Sequence, residues 1–171
     1  MNLREAKQTK SRFEKFLRDL RSKRVGCSVV EIAPGEDPME YINEPPIFFT
    51  DKIAQVIEEK NKLCKAFREA NELVVDVPEL SGRYSVNMLL DKVKDIRAEL
   101  CYFENFSNRR PKERIVRSTQ EIISTITYDI TAYRKQANAL ELEAQKISTI
   151  IDQLDSSIEV DYAVPEGLFE I

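Results

Sequence analysis

The chain has 171 residues, 42% of them hydrophobic and 33% charged, with four glycines, no tryptophan and a formal net charge of −4. That length suits one domain or a small bundle with irregular extensions, and regular Leu, Ile and Phe in so charged a chain argue against disorder. Histidine is absent, which removes the usual general base near neutral pH, the Ser-His and Cys-His nucleophile pairs and the commonest metal ligand.

A first helix is predicted from Asn2, as N-cap, to Arg24, stopping near Gly26. Leu3, Ala6, Phe13, Leu17 and Leu20, with Phe16 beside them, form a narrow apolar seam that Lys10 interrupts. Residues 1–24 carry nine Lys or Arg against Glu5, Glu14 and Asp19, a balance of +6, whereas residues 141–171 carry eight acids against Lys146, a balance of −7. Attraction between the two ends, within or between subunits, and two ordinary solvated helix faces both fit this asymmetry. A basic amphipathic helix also suits an anionic membrane, although packing on a partner helix is the commoner use.

Residues 25–49 are expected to be an irregular arm or cap. Val25 to Ile32 suits extended structure, Pro34-Gly35 a turn, Asp37 the cap of a short helical turn from Pro38 to Ile42, and Pro45-Pro46 its end. Ile47-Phe48-Phe49 then needs cover, over the end of a core or from a neighbouring subunit, because three exposed apolar residues in a row are unfavourable. Thr50 or Asp51 opens a second helix to about Leu73, with a stripe of Ile53, Ile57, Cys64, Phe67 and Ala70 widened by Val56 and Leu63. Val74 to Leu80 reads as an extended linker and Ser81-Gly82 as a turn. Ser85 caps a third helix to about Phe106, whose face of Val86, Leu89, Leu90, Val93, Ile96, Leu100, Phe103 and Phe106 marks it as the expected central helix.

Residues 107–117 are expected as a basic loop, with Arg109, Arg110, Lys112, Arg114 and Arg117 as candidate anion-binding residues. Arg pairs bidentately with phosphate or carboxylate, and Tyr102, Phe103 and Phe106 lie just before the cluster. Those aromatics fall on the expected core face, however, and a basic connection between helices is commonplace. Glu121 to Tyr128 is β-branched and suits extended structure, or else the first turns of the last helix. That helix, opened by Asp129 or Thr131, carries Tyr133, Ala137, Leu140, Ala144, Ile147, Ile151, Leu154 and Ile158 at spacings of four and three. This is the a/d seam of a coiled coil, closing within the chain or between subunits. Residues 159–171 read as a flexible or strapping tail anchored by Leu168 and Phe169.

The sequence contains neither GxxxxGK[ST] nor GxGxxG, and Glu58-Glu59 and Glu141 with Glu143 read as solvated helix residues. No catalytic residue, metal site or cofactor is therefore expected. No stretch approaches the ~20 apolar residues that span a bilayer, and the charged start from Arg4 lacks a signal-peptide core. Cys27, Cys64 and Cys101 form an odd set without paired spacing, the last two expected as buried thiols, which points to the cytoplasm.

The order of these features resembles a septicolysin-like family of short bacterial helical proteins. The resemblance rests on the basic first helix, GEDP at 35–38, a charged helix with Asn61 and Asn71, SVNMLLDKVKDIRAEL at 85–100, the arginine-containing link to Glu121-Ile122 and the final coiled-coil helix. It implies a helical, oligomeric, cytoplasmic protein, and it carries over no functional residue. Pro45-Pro46 and the tail after Asp161 depart from the pattern. The lytic activity in the family's label lacks any matching lipid-entering segment here.

The expected architecture is an all-α helical bundle of about four long amphipathic helices with a coiled-coil-like C-terminal helix and short extended linkers. Residues 1–158 are expected as one domain and 159–171 as a tail. The leading functional expectation is a non-enzymatic homo-oligomeric scaffold or adaptor acting through protein–protein contact. The alternatives are a nucleic-acid or phosphate-ligand module using the basic 109–117 segment, and a membrane-associating or lytic protein.

Overall fold

The computed structural model describes residues 1–42, 44–117 and 120–170, with the side chains of 38–39, 114–117 and 120–122 outside that description. Among the described residues four helices dominate: α1 (Leu3–Gly26), α2 (Pro46–Glu72), α3 (Val86–Ser107) and α4 (Ile130–Ser157). Two antiparallel hairpins accompany them, β1 (Val75–Val77) with β2 (Gly82–Tyr84) and β3 (Lys112–Arg117) with β4 (Gln120–Thr125). The fold is mostly α, as composition and periodicity predict. No helix of the described residues is long and apolar enough to cross a membrane. The chain divides into two compact units, 1–73 with 154–171, and 74–153, so that the division falls inside α4.

In the first unit α1 starts with a capping box. The Asn2 side chain accepts from the Glu5 N–H at 2.8 Å and the Glu5 carboxylate accepts from the Asn2 N–H at 3.0 Å. The expected seam of Leu3, Ala6, Phe13, Leu17 and Leu20 is buried. α2 runs antiparallel to α1, with Lys60 paired to Glu14 at 3.5 Å.

The start of α2 corrects the expectation of Thr50 or Asp51, because Pro46 stands in its first turn. Proline suits that position, since its missing N–H has no helical partner there and its φ is already helical. The earlier start brings Phe49 into the seam, and buried Phe49, Ile53, Val56, Leu63 and Ala70 set its phase. Val56 and Leu63 are therefore central rather than flanking, while Ile57 is 37% exposed and Cys64 half-buried. Cys101 is exposed, so neither thiol is the buried one expected. Each stands one residue beyond a seam position, Leu63 or Leu100, and so turns about 100° away from it.

The C-terminal segment lies along this helix pair as a strap. Leu3 N–H donates to the Ile158 carbonyl at 3.1 Å, and Val160 N–H donates to the Met1 carbonyl at 2.6 Å. Lys7 pairs with Asp155, which is 6% exposed. Further along, Leu168 is buried, and the Phe169 ring packs on Phe13 and Phe16 at 5.0 and 5.4 Å with the Arg12 guanidinium 4.1 Å over it. Tyr162 donates to Glu59 at 3.2 Å. Loss of hydration, then the Glu59 charge and hydrogen bond, pushes the Tyr162 hydroxyl up to about 12.

In the second unit α3 and α4 are tied by Lys92 to Glu143 at 3.2 Å and by Arg97 to Ser148 at 3.3 Å. Ser85 caps α3, accepting from Met88 N–H at 3.2 Å. Val86, Leu89, Val93 and Ile96 are buried, but Leu90 is 46% exposed, so the α3 face is narrower than expected. The predicted linker at 74–80 is a small hairpin instead, turned through Ser81 at φ 53°. A Cβ at Gly82 would stand 3.0 Å from the Tyr84 ring, so a larger residue there requires that ring to shift. The predicted basic loop 107–117 likewise contains β3, because the β-branched 120–125 segment supplies it with a ladder partner from Lys112↔Thr125 to Arg117↔Gln120.

Leu63→Ala is expected to cost about 2–5 kcal/mol, as a truncation at 1% exposure, and Ile57→Ala less than about 1 kcal/mol. Chemical denaturation followed by circular dichroism checks the contrast, and equal losses would refute the observed phase of the α2 seam. Tyr162 supplies a second test. Its folded pKa lies above the ordinary value of about 10, so its contribution is whole below that pH and is lost as pH rises toward about 12. Tyr162→Phe is expected to flatten the alkaline decline in stability across that window, measured by denaturation at stepped pH.

Candidate interaction surfaces

Where α1 ends and α2 begins, the first unit leaves apolar side chains uncovered. Val25, Val29, Ile47 and Tyr41 are 70, 79, 62 and 53% exposed. Gly26, Cys27, Tyr41, Ile42 and Phe49 line one shallow depression of about 550 Å³ together with Lys23 and Glu44. Of the three consecutive apolar residues that need cover, Phe49 is buried, whereas Ile47 and Phe48 stand out from the first turn of α2. Tyr41 donates to Glu36 at 2.6 Å, and that bond holds the Glu36 carboxyl below its usual range and the Tyr41 hydroxyl above its own.

A second surface lies in the other unit, where α3 gives way to β3 and β4 to α4. Tyr102 and Phe106 stack with centroids 4.5 Å apart, as do Tyr128 and Tyr133, and Phe103 meets Tyr133 at 5.1 Å. The Tyr128 hydroxyl donates to the Phe106 carbonyl at 2.8 Å, tying the α4 side of the joint to the end of α3. Tyr133 titrates above its usual range, first through a hydrogen bond with Tyr102 and then through lost hydration and its tyrosine neighbours. The aromatics expected in the core thus sit only half-covered, and Tyr102 is 46% exposed. The two-stranded hairpin beside them offers too little surface to bury these rings fully.

Of the candidate anion-binding residues, Arg109, Arg110 and Lys112 are exposed at this joint, and the Arg109 guanidinium lies 4.7 Å over the Phe106 ring. Asn108, Arg109, Arg110, Glu113, Ser124 and Ile126 line one open groove. The side chains of Arg114 and Arg117 lie outside the described residues. Of the α4 seam, Ala137, Ala144, Ile147, Ile151 and Ile158 are buried, and Tyr133, Leu140 and Leu154 are half-buried. Ile150, which the four-three spacing passes over, is buried as well.

The chain matches no family model, no curated protein and no solved structure. Among the described residues no group of three Cys, Asp or Glu side chains is placed to hold a metal ion.

Sequence reasoning missed the pairing of Tyr128 and Tyr133 with Tyr102 and Phe106. Its signal was the recurrence of aromatics just before and just after a strand pair. Ile147→Asp is expected to abolish folding of the second unit, because a carboxylate at 0% exposure lacks a partner, whereas Leu142→Asp at 68% exposure is expected to be tolerated. Helicity and thermal unfolding of the two variants test this, and a stable Ile147→Asp protein would refute the α4 seam.

Proposed function

We propose that this protein is a non-enzymatic helical scaffold or adaptor that self-associates through the apolar end of its first unit. The observation that carries this reading is the row of uncovered apolar side chains from Val25, Val29, Tyr41, Ile47 and Phe48. A cluster of exposed apolar side chains on one end of a folded unit is the usual mark of an interaction site. Lys23 and Glu44, both lining the same depression, give the surface both charge signs, so a two-fold related copy can set each against the other.

The reading rests on this end and not on the α4 seam, since Ala137, Ala144, Ile147 and Ile151 of that seam are already buried within the single chain. The three cysteines, all unpaired, support a reducing compartment and hence the cytoplasm. The septicolysin-like resemblance adds an oligomeric helical protein to this picture and no site residue.

Native mass by light scattering is expected to give an oligomer that persists at high salt. The double substitution Val29→Ser with Ile47→Ser is expected to weaken association about tenfold or more while helicity and thermal stability hold. A wild-type monomer at tens of micromolar would overturn the proposal.

A further inference from the structure

We propose that the joint between α3, the β3–β4 hairpin and α4 is a binding site for single-stranded nucleic acid. Two features meet there that the scaffold reading leaves unused. The first is charge: residues 107–135 carry seven Lys or Arg against Glu113, Glu121 and Asp129, a balance of +4 inside a chain of net charge −4. Arg109, Arg110 and Lys112 are exposed together where helix turns into strand.

The second feature is open ring surface. Tyr102, Phe103, Phe106, Tyr128 and Tyr133 pack on one another, yet none of the five is buried. The Arg109 guanidinium already stacks on one of these rings at 4.7 Å, the geometry in which it also extends a stacking platform.

A single strand alternates flat base faces with phosphates. Half-open rings set beside guanidinium and ammonium groups match that alternation, with bases stacking on the rings and phosphates pairing with Arg109, Arg110 and Lys112. A duplex keeps its base faces stacked inside and would leave the rings unused. An acidic polypeptide would answer the charge but not the rings. Glu113 lines the same groove as Arg109 and Arg110 and restricts where phosphates can sit.

The test is fluorescence anisotropy of a labelled oligothymidylate titrated with the full chain at low salt. Saturable binding is expected, with a log–log salt slope of about −2 for three phosphate contacts. The triple substitution of Arg109, Arg110 and Lys112 by Ala is expected to weaken binding at least tenfold. Tyr102→Ala is expected to weaken it about fivefold or more and to leave the salt slope unchanged. Circular dichroism verifies that each variant keeps its helicity, and the single exposed change Arg110→Glu serves if the triple variant unfolds. Absence of binding at low salt, or binding that survives the basic substitutions, would overturn the proposal. So would a duplex or polyglutamate competing as well as the single strand.

Discussion

The narrowness of the apolar seams governs this protein. The long helices bury residues mainly at steps of three and four, as in Phe49, Ile53 and Val56 on α2 or Ala144, Ile147 and Ile151 on α4. A seam of that width suits packing against one facing helix. In the first unit the sequence builds the antiparallel pair of α1 with α2, and in the second α3 meets α4 through Lys92, Arg97 and Phe103. A pair of helices leaves its flanks and ends open, and those open places define both the supporting contacts and the candidate surfaces.

Each unit has its own answer to the open flank. In the first, the chain after α4 is used as a strap: backbone bonds at Met1 and Leu3 hold its beginning, and Phe169 under Arg12 holds its far end. The Lys7–Asp155 pair sits at the near end of the strap. Asp155 keeps one oxygen, Oδ1, buried without a hydrogen-bond partner among the described residues. Such a pair contributes little net stability, because burying the carboxylate offsets much of the attraction. In the second unit the aromatic joint does comparable work at the hairpin, where ring stacking and the Tyr128 hydroxyl replace a helical seam.

What remains uncovered differs in kind between the units. The first exposes aliphatic and aromatic side chains with one charge of each sign nearby, which suits contact with another protein surface. The second exposes rings beside a concentration of positive charge. Polar atoms of the helix faces elsewhere pair locally, as Lys62 does with Glu58 and Glu59, and such solvated pairs contribute little to either surface.

Helix periodicity, caps and punctuation were legible from the residues themselves, since they depend on chain geometry within a few positions. Asn2 with Glu5, Ser85, the α1 seam and the mostly α class all follow from that local chemistry. So does the extended character of 120–125. Three things depended on which segments meet in the fold. The phase of α2 turned on whether Pro46 began the helix and Phe49 faced α1. The basic 112–117 segment became a strand only because 120–125 lies beside it. The aromatic cluster required Tyr102 and Phe106 to meet Tyr128 and Tyr133 across the hairpin. Periodicity tells which side of a helix is apolar. Which of those side chains water reaches is decided by what packs against them, and that is a property of the tertiary structure alone.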